Sequence, residues 1–528
     1  MSVQSTLLED IASLWSDATL SIGQETDGRI RIDVRGDPTG LCEWLVKDRS
    51  FRFGGMAVRE ETDRWQLGYL FYSHDHGGGW VEITLRAPRE QTSFPSISSR
   101  VHAADWQERE AEDHFGIHFT GHPRLGDFVL HDEEWGEGVA PMRRDFDGPG
   151  TQVERHPDPD WHPRRILHTQ GSFAMTVGPI HGGIAEPAHF LLETVGEDVV
   201  RAYPRLFFKY RAVEKMAEGK PVLDALLLAE RFNATQAFAH SFAFCHAVEK
   251  IAGAEVPPRA QALRVAFLEL ERLRSHVGAI RGICGSTALA VAESHAAILE
   301  EQLLRLSGSF CGHRYLFGLN TPGGLSRDFT DEACRSLVDR LGGLDISLGD
   351  LDKTLSRSSS FLDRLEEVGM VTHQQSLDHG LVGPVARASG LVCDLRAAHP
   401  YSGYERYHME IPEESDGDGY ARLRVLFFEA QQSVRLIRQA MTGLPGGSVK
   451  ADVPLSARGS AVGWVEAACG ASIQWLWLDR QGRVERLRII PPSFVNWHGF
   501  HLAAEGFAFQ DFPIILATFA LSVAENDR

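Results

Sequence analysis

The run LAERFNATQAFAHSFAFCHAVEKIAGAEVPPRA, Leu228 to Ala260, is the stretch on which the fold turns. It closes on Pro257 and Pro258, which suit the start of a helix because a proline there gives up only an N–H that has no intrahelical partner. Beyond them Leu263, Phe267, Leu270, Arg274 and Val277 recur at helical spacing, and TALAVAESHAAILEEQLLRLSG predicts another helix ending at Gly308. Long helices dominate this region. Upstream, SFAMTVGPI against AHFLLETVG reads as a hairpin whose loop is HGGIAEP. Downstream, GWVEAACGASIQWLWLDRQGRVERLRII returns to strands, with DRQG as a turn.

Moving outward, the first 147 residues have another character. An opening amphipathic helix precedes RIRIDVRG, QLGYLFYS and WVEITLRAP, whose near-alternating patterns predict strands. The stretch DGPGTQVERHPDPDWHPRR is dense in proline, glycine and charge, so the boundary belongs there. The expected fold class is α+β: an N-terminal α/β-sandwich-like domain over 1–147, a linker over 148–170, and a large, mainly helical domain with small antiparallel sheets over 171–528.

Composition narrows the function. With 43% apolar and 24% charged residues in 528, the chain can bury ordinary globular cores. A net charge of -19 speaks against nucleic acid, whose phosphates need clustered Lys and Arg. Seven cysteines without a C-x-x-C offer neither a disulfide framework nor a zinc or iron–sulfur site, which fits a reducing cytoplasm. The N-terminus lacks the basic and apolar regions of a signal peptide. The longest apolar run, FPIILATFALSVA, has 13 residues, short of the roughly 20 that a membrane-spanning helix needs.

GPIHGGIAEPAHFLLETVGE (Gly178 to Glu197), PRLFFKYRAVEKMAEG and the opening run resemble the large subunit of membrane-bound [NiFe] hydrogenases and its relative, the quinone-site subunit of respiratory complex I. EREAEDHFGIHFTGHPRL (Glu108 to Leu125) and PMRRDF (Pro141 to Phe146) resemble the small peripheral-arm subunit of complex I, fused here to the larger one as in formate hydrogenlyase. The hydrogenases carry two C-x-x-C pairs. Asn233 and Gln236 stand at the first, Ser522 and Glu525 at the second. A nickel–iron centre is a soft site held by thiolates, for which amide, hydroxyl and carboxylate oxygens do not substitute, so that centre is expected to be absent. In RGICGS only Cys284 is a thiol, and it lies in the wrong segment; an ordinary buried or near-surface cysteine is expected.

The resemblance also implies departures from complex I. Asn233 and Ala234 stand where complex I has an aspartate followed by a tyrosine. His181 matches the first histidine of its loop pair, and the second is missing. Glu186 matches a hydrogenase glutamate and becomes the candidate proton-relaying carboxyl, raised in pKa if enclosed in a dry cavity; its alternative is a cap on Pro187 and the strand beyond. His181 is a second catalytic candidate or a loop-bonding residue. The positions Asn233, Gln236, Ser522 and Glu525 are expected to line a solvated polar pocket, a ligand pocket or a hard-metal site, the last disfavoured because a single carboxylate holds metal weakly. Asp394 and Arg396, near the cavity by resemblance, suit a buried salt bridge. Glu269, Arg272 and His276 share a helix face, as a charged seam toward a partner or a solvated face. The acids Glu108, Glu110, Glu112 and Asp113 follow no divalent-ion pattern and are expected to serve packing.

The implied function is a subunit of a hydrogenase-related, complex I-like membrane oxidoreductase, peripheral on the cytoplasmic face. The alternative is a non-redox structural or coupling subunit of an ion- or solute-transporting complex. No cofactor is expected on this chain and no metal. A quinone is a candidate ligand, an iron–sulfur cluster belongs to an adjacent subunit, and NAD(H) enters only through the complex. Expected partners are that iron–sulfur protein and antiporter-like and other integral membrane subunits.

Overall fold

The computed structural model describes residues 7, 10–11, 20–74, 79–132, 134–136, 138–148, 167–182 and 185–528. The expected opening helix and the linker over 148–170 lie largely outside them, as do Gly183 and Ile184 of the hairpin loop. Strands β1 (Leu20–Gln24), β2 (Ile30–Val34), β3 (Phe51–Glu60), β4 (Arg64–Ser73) and β5 (Trp80–Pro88) form one sheet in the order β1-β2-β5-β4-β3. β2 and β5 run parallel and the other pairs antiparallel. Because successive side chains of a strand point to opposite faces, Leu67, Tyr69 and Phe71 of β4 enter one core with Leu41 and Leu45 of helix α1 (Thr39–Lys47) and Phe115 of α2 (Asp105–Phe115). Leu70 and Tyr72 face the other way. They join Trp80, Trp475 and Trp477 in a second core, so the strand expected from near-alternation in QLGYLFYS is covered on both faces.

The expected hairpin is β6 (Ser172–Val177) against β7 (His189–Val195), in antiparallel register from Ser172 opposite Val195 to Val177 opposite Phe190, with β8 (Asp198–Arg205) on the other side of β7. Helices α3 (Ala237–Ala252), α4 (Pro258–Ser286), α5 (Ala290–Cys311), α6 (Asp331–Leu355) and α7 (Gly419–Thr442) follow, and the last four build the largest apolar core. Pro257 caps α4, as its sequence predicts. α5 runs on to Cys311 instead of ending at Gly308. Buried Leu303, Leu304, Leu306 and Cys311 carry the helix past that glycine, and Gly312, with φ 77°, takes the left-handed C-cap.

α3 is apolar around almost its whole circumference because it is enclosed. On one side lies β9 (Gly459–Ala467), followed by β10 (Gly470–Leu478) and β11 (Val484–Ile490) in a three-stranded antiparallel sheet. Gly463 lets β9 rest on the backbone of α3: a Cβ there would sit 2.0 Å from the Ala243 carbonyl oxygen. Asp479 N–H donates to the Arg483 carbonyl across the expected DRQG turn. Helices α8 (Pro492–Ala504) and α9 (Phe512–Phe519) complete the chain and pack with β7 and β8. Cys284 is buried in α4, and burial pushes its thiol up to about 12.

Helix α2 locks the two halves together through charge. Glu110 meets Arg488 at 2.6 Å and Arg528 at 2.9 Å, and Glu214 meets Arg486, Arg488 and Arg528 at 3.1, 3.3 and 3.4 Å. Burial alone would raise the Glu110 carboxyl, but Arg488 and Arg528 outweigh it and hold the carboxyl down to about 2. Of the EREAEDHFG acids Glu110 makes this contact, while Glu108, Glu112 and Asp113 accept the backbone N–H groups of Ile97, Gly126 and Val129 nearby, and Gly116 closes α2 in the left-handed region.

Candidate functional site

The two dipeptide-spaced pairs that the sequence places far apart come together. Asn233 ends the helix-to-helix connection before α3, where its Oδ1 accepts the Thr235 N–H at 2.9 Å and forms the cap of a short 3-10 turn. α4 fixes this turn from below. The Glu271 carboxylate accepts the Phe238 and Ala239 N–H groups at 2.8 and 2.9 Å, the first free donors of α3, and the Arg274 guanidinium donates to the Thr235 carbonyl.

Glu525 is fully buried at the centre. Its Oε1 accepts Asn233 Nδ2 at 2.7 Å and Gln236 Nε2 at 2.8 Å, and lies 3.0 Å from His240 Nε2. Its Oε2 accepts the Ser493 N–H at 3.0 Å from the first turn of α8. A carboxylate beside His240 Nε2 makes that nitrogen the donor, which leaves Nδ1 to accept the Ser472 hydroxyl at 3.0 Å. Burial would raise the Glu525 carboxyl, yet the His240 contact and the Ser493 N–H hold it below the usual range.

Ser522 belongs to the same cluster through its Oγ, which accepts the Glu525 N–H at 3.4 Å and donates to Glu186 Oε1 at 3.1 Å. The Val523 N–H also donates to Glu186. Glu186 is exposed at the edge of the cluster, so it is not enclosed in the dry cavity on which the relay reading depends. Its carboxylate holds the 522–523 backbone rather than capping Pro187. His181 Nε2 donates to the Ala188 carbonyl at 3.1 Å across the hairpin loop.

A cavity of ≈ 530 Å³ adjoins the cluster. Gln236 and Ser522 line it together with His181, Glu186, Arg274 and Cys469, against apolar walls that include Phe190 and Trp497. Asn233 and Glu525 do not line it. They bond to each other beneath its wall, so of the four positions Gln236 and Ser522 face the cavity. No thiolate stands at any of the four, and the nearby Cys469 donates its Sγ to the Ala520 carbonyl at 3.3 Å while burial pushes its thiol up. These residues do not fit a nickel–iron centre.

Asp394 and Arg396 form the expected buried pair, with Arg396 Nη2 2.6 Å from Asp394 Oδ2. They sit in a wider network with Arg272, Arg387, Glu269, Glu429 and Glu466, and do not line the cavity. The helical seam of Glu269, Arg272 and His276 is part of this interior: all three are buried. It faces neither a partner nor solvent. Tyr404 and Ser433 each donate to Glu269 at 2.6 Å, and His276 Nε2 donates to Glu429 at 2.9 Å. Single-sequence reasoning missed His240, although its place one helical turn after Gln236 puts both on one face. The capping role of Glu271 needs the α3–α4 contact.

The family model described as the respiratory-chain NADH dehydrogenase 30 Kd subunit matches residues 39–152, and that of the 49 Kd subunit matches residues 294–457. The chain is 30% identical over 540 residues to the C/D subunit of the NADH-quinone oxidoreductase of Bdellovibrio bacteriovorus, covering 93% of this chain and 94% of that one. It is 29% identical over 487 residues to formate hydrogenlyase subunit 5 of Escherichia coli, covering 90% and 84%. Among solved structures, a chain of the membrane-bound sulfane sulfur reductase, an archaeal respiratory membrane complex, superposes with a TM-score of 0.65 at 28% identity, over 69% of this chain and 100% of that one.

Proposed function

Because the chain belongs to the family of fused complex I 30 kDa and 49 kDa subunits, we propose that it is the cavity-bearing subunit of a complex I-like membrane oxidoreductase, and that the cavity takes a quinone-type headgroup in place of nickel chemistry. The observation that carries this is the closure of the four ligand positions around Glu525 while the adjoining space stays open. Mostly apolar walls with a few convergent polar groups are what a small organic ligand requires. Arg274 and Gln236 supply donors, and the Glu186 carboxylate supplies an acceptor at the edge.

Among the described residues no helix is long and apolar enough to cross a membrane, so attachment is through partners. Ile180, 93% exposed beside the cavity loop, and Val291, 86% exposed on α5, are apolar side chains suited to such contacts. The partners in this reading are an iron–sulfur protein that delivers electrons and antiporter-like integral membrane subunits. NAD(H) is used only elsewhere in the complex. A non-redox coupling role is the second reading, favoured by the use of Glu186 to hold Ser522 and Val523.

Gly282 on α4 lines the cavity, and a Cβ there meets nothing within 4 Å. Gly282→Leu therefore adds side-chain volume at the cavity wall from a Cβ that meets no neighbour, and leucine is the better helix former. Quinone reduction by membrane vesicles is expected to fall with this variant while assembly is retained. Full activity in an assembled Gly282→Leu complex counts against a cavity ligand and leaves the coupling role. Hydrogen uptake or evolution is expected in neither protein.

A further inference from the structure

A second cluster lies where the two halves of the chain meet. His102 stands in the turn His102–Ala104 that leads into α2, His379 follows the helix His373–Asp378, and His498 projects from α8. Their ring centroids are 4.5 Å (His102–His379), 4.8 Å (His379–His498) and 4.9 Å (His102–His498) apart. One ring nitrogen from each lies within 4.8 Å of the others. His379 and His498 are buried and His102 is half-buried, which leaves one side open to entry. His501, one turn along α8 from His498, places its ring 5.7 Å from His379.

Three imidazoles in contact bring several ring nitrogens, each a donor or an acceptor, to one place. His379 donates Nδ1–H to the Gln375 carbonyl at 3.1 Å, which leaves Nε2 as the lone-pair nitrogen, the usual support for a metal-ligating histidine. His501 is supported in the same way as His379, donating Nδ1–H to the His498 carbonyl at 3.1 Å.

We propose that His102, His379 and His498 bind one borderline divalent cation of the zinc(II) type, which clamps the N-terminal sheet domain to α8. Imidazole nitrogen suits such ions, and three histidines with one further ligand make a tetrahedral set. Zn–N distances of about 2.0 Å put ligand nitrogens about 3.3 Å apart, so the rings close by about 1.5 Å on binding. His501 or water is the fourth ligand. α8 also gives the Ser493 N–H to Glu525 and Trp497 to the cavity wall, so the cation would brace the helix that borders the cavity. The sequence predicts no metal on this chain because its three ligands come from three distant segments without a spacing motif.

The test uses the purified full-length chain, in its complex where it requires one, stripped with a chelator and titrated with cobalt(II) alone. About one equivalent is expected to bind with the d–d absorption of tetrahedral cobalt, without a thiolate charge-transfer band, and to be displaced by zinc(II). His102→Gln changes only the half-buried ligand and is expected to weaken binding about 10- to 100-fold with an unchanged circular dichroism spectrum. X-ray absorption of the zinc-loaded wild type needs no variant and is expected to show three or four nitrogen neighbours. An absent tetrahedral cobalt spectrum, a sulfur or all-oxygen zinc shell, or equal affinity in His102→Gln overturns the proposal.

Discussion

Replacing Glu525 by glutamine keeps the shape of the side chain and removes the acceptor on which the converted ligand cluster is built. The carboxylate receives Asn233, Gln236 and His240 on one oxygen and the Ser493 N–H on the other. Glutamine has a single acceptor oxygen. Turned toward the three side-chain donors, it sets its NH2 against the Ser493 N–H and leaves that donor unpaired, at a cost of about 1–3 kcal/mol. The three remaining bonds also lose their charge assistance, about 1 kcal/mol each. Relief from burying a charge returns a few kcal/mol. The net expectation is about 2–4 kcal/mol of local destabilisation, which at 1.4 kcal/mol per factor of ten is about a 30- to 700-fold loss of protection. Hydrogen-exchange mass spectrometry of peptides spanning 492–528, wild type against variant at matched pH, reads this directly.

The pH dependence has a definite sign. The Glu525 carboxyl is depressed in the folded protein, so its contribution is fully present above the unfolded pKa of about 4.3 and is lost as pH falls through the lower folded value. Glutamine does not titrate, so the gap between the two proteins closes on acidification. Equal protection at neutral pH, or a gap that stays constant into that acid range, would refute the reasoning.

Gly463→Ala is expected to cost about 1–3 kcal/mol or more, because the new Cβ would lie 2.0 Å from the Ala243 carbonyl and 2.6 Å from the Ala247 nitrogen, both backbone atoms that move only with α3. A calorimetric Tm equal to that of wild type would contradict it. Arg396→Leu strips the buried partner from Asp394 and Glu269, 2.6 and 3.0 Å away, and is expected to cost about 3–5 kcal/mol, partly recovered in Arg396→Leu/Asp394→Leu because the stranded carboxylate leaves with its partner. Thermal unfolding of both variants checks the order, and a double variant less stable than the single one reverses it.

Much of the fold was legible because burial imposes a period. The hairpin of β6 and β7, the strands β2, β4 and β5 and the proline-led start of α4 follow from alternation, spacing and turn residues, which act over a few neighbours. The end of α5 was not legible: Gly308 signals a stop locally, and burial of Leu306 and Cys311 outweighs the glycine. At the site, the pairing of Asn233 and Gln236 with Ser522 and Glu525 was legible through the resemblance. Their direct bonding to one another was not.

What the sequence determined by itself was composition and local chemistry: which side chains carry thiol, amide or carboxyl groups, and hence that the soft ligands of a nickel–iron centre are missing. What only the tertiary structure decided was environment. Glu269, Arg272 and His276 read equally as a surface seam until α7 and β9 enclose them, and Glu186 reads as a dry relay until the chain leaves it exposed. His102, His379 and His498 have no local pattern at all and meet only because the N-terminal sheet domain seats against α8. Solvation, ionisation and ligand geometry depend on groups far apart along the chain, and a one-dimensional spacing does not encode those distances.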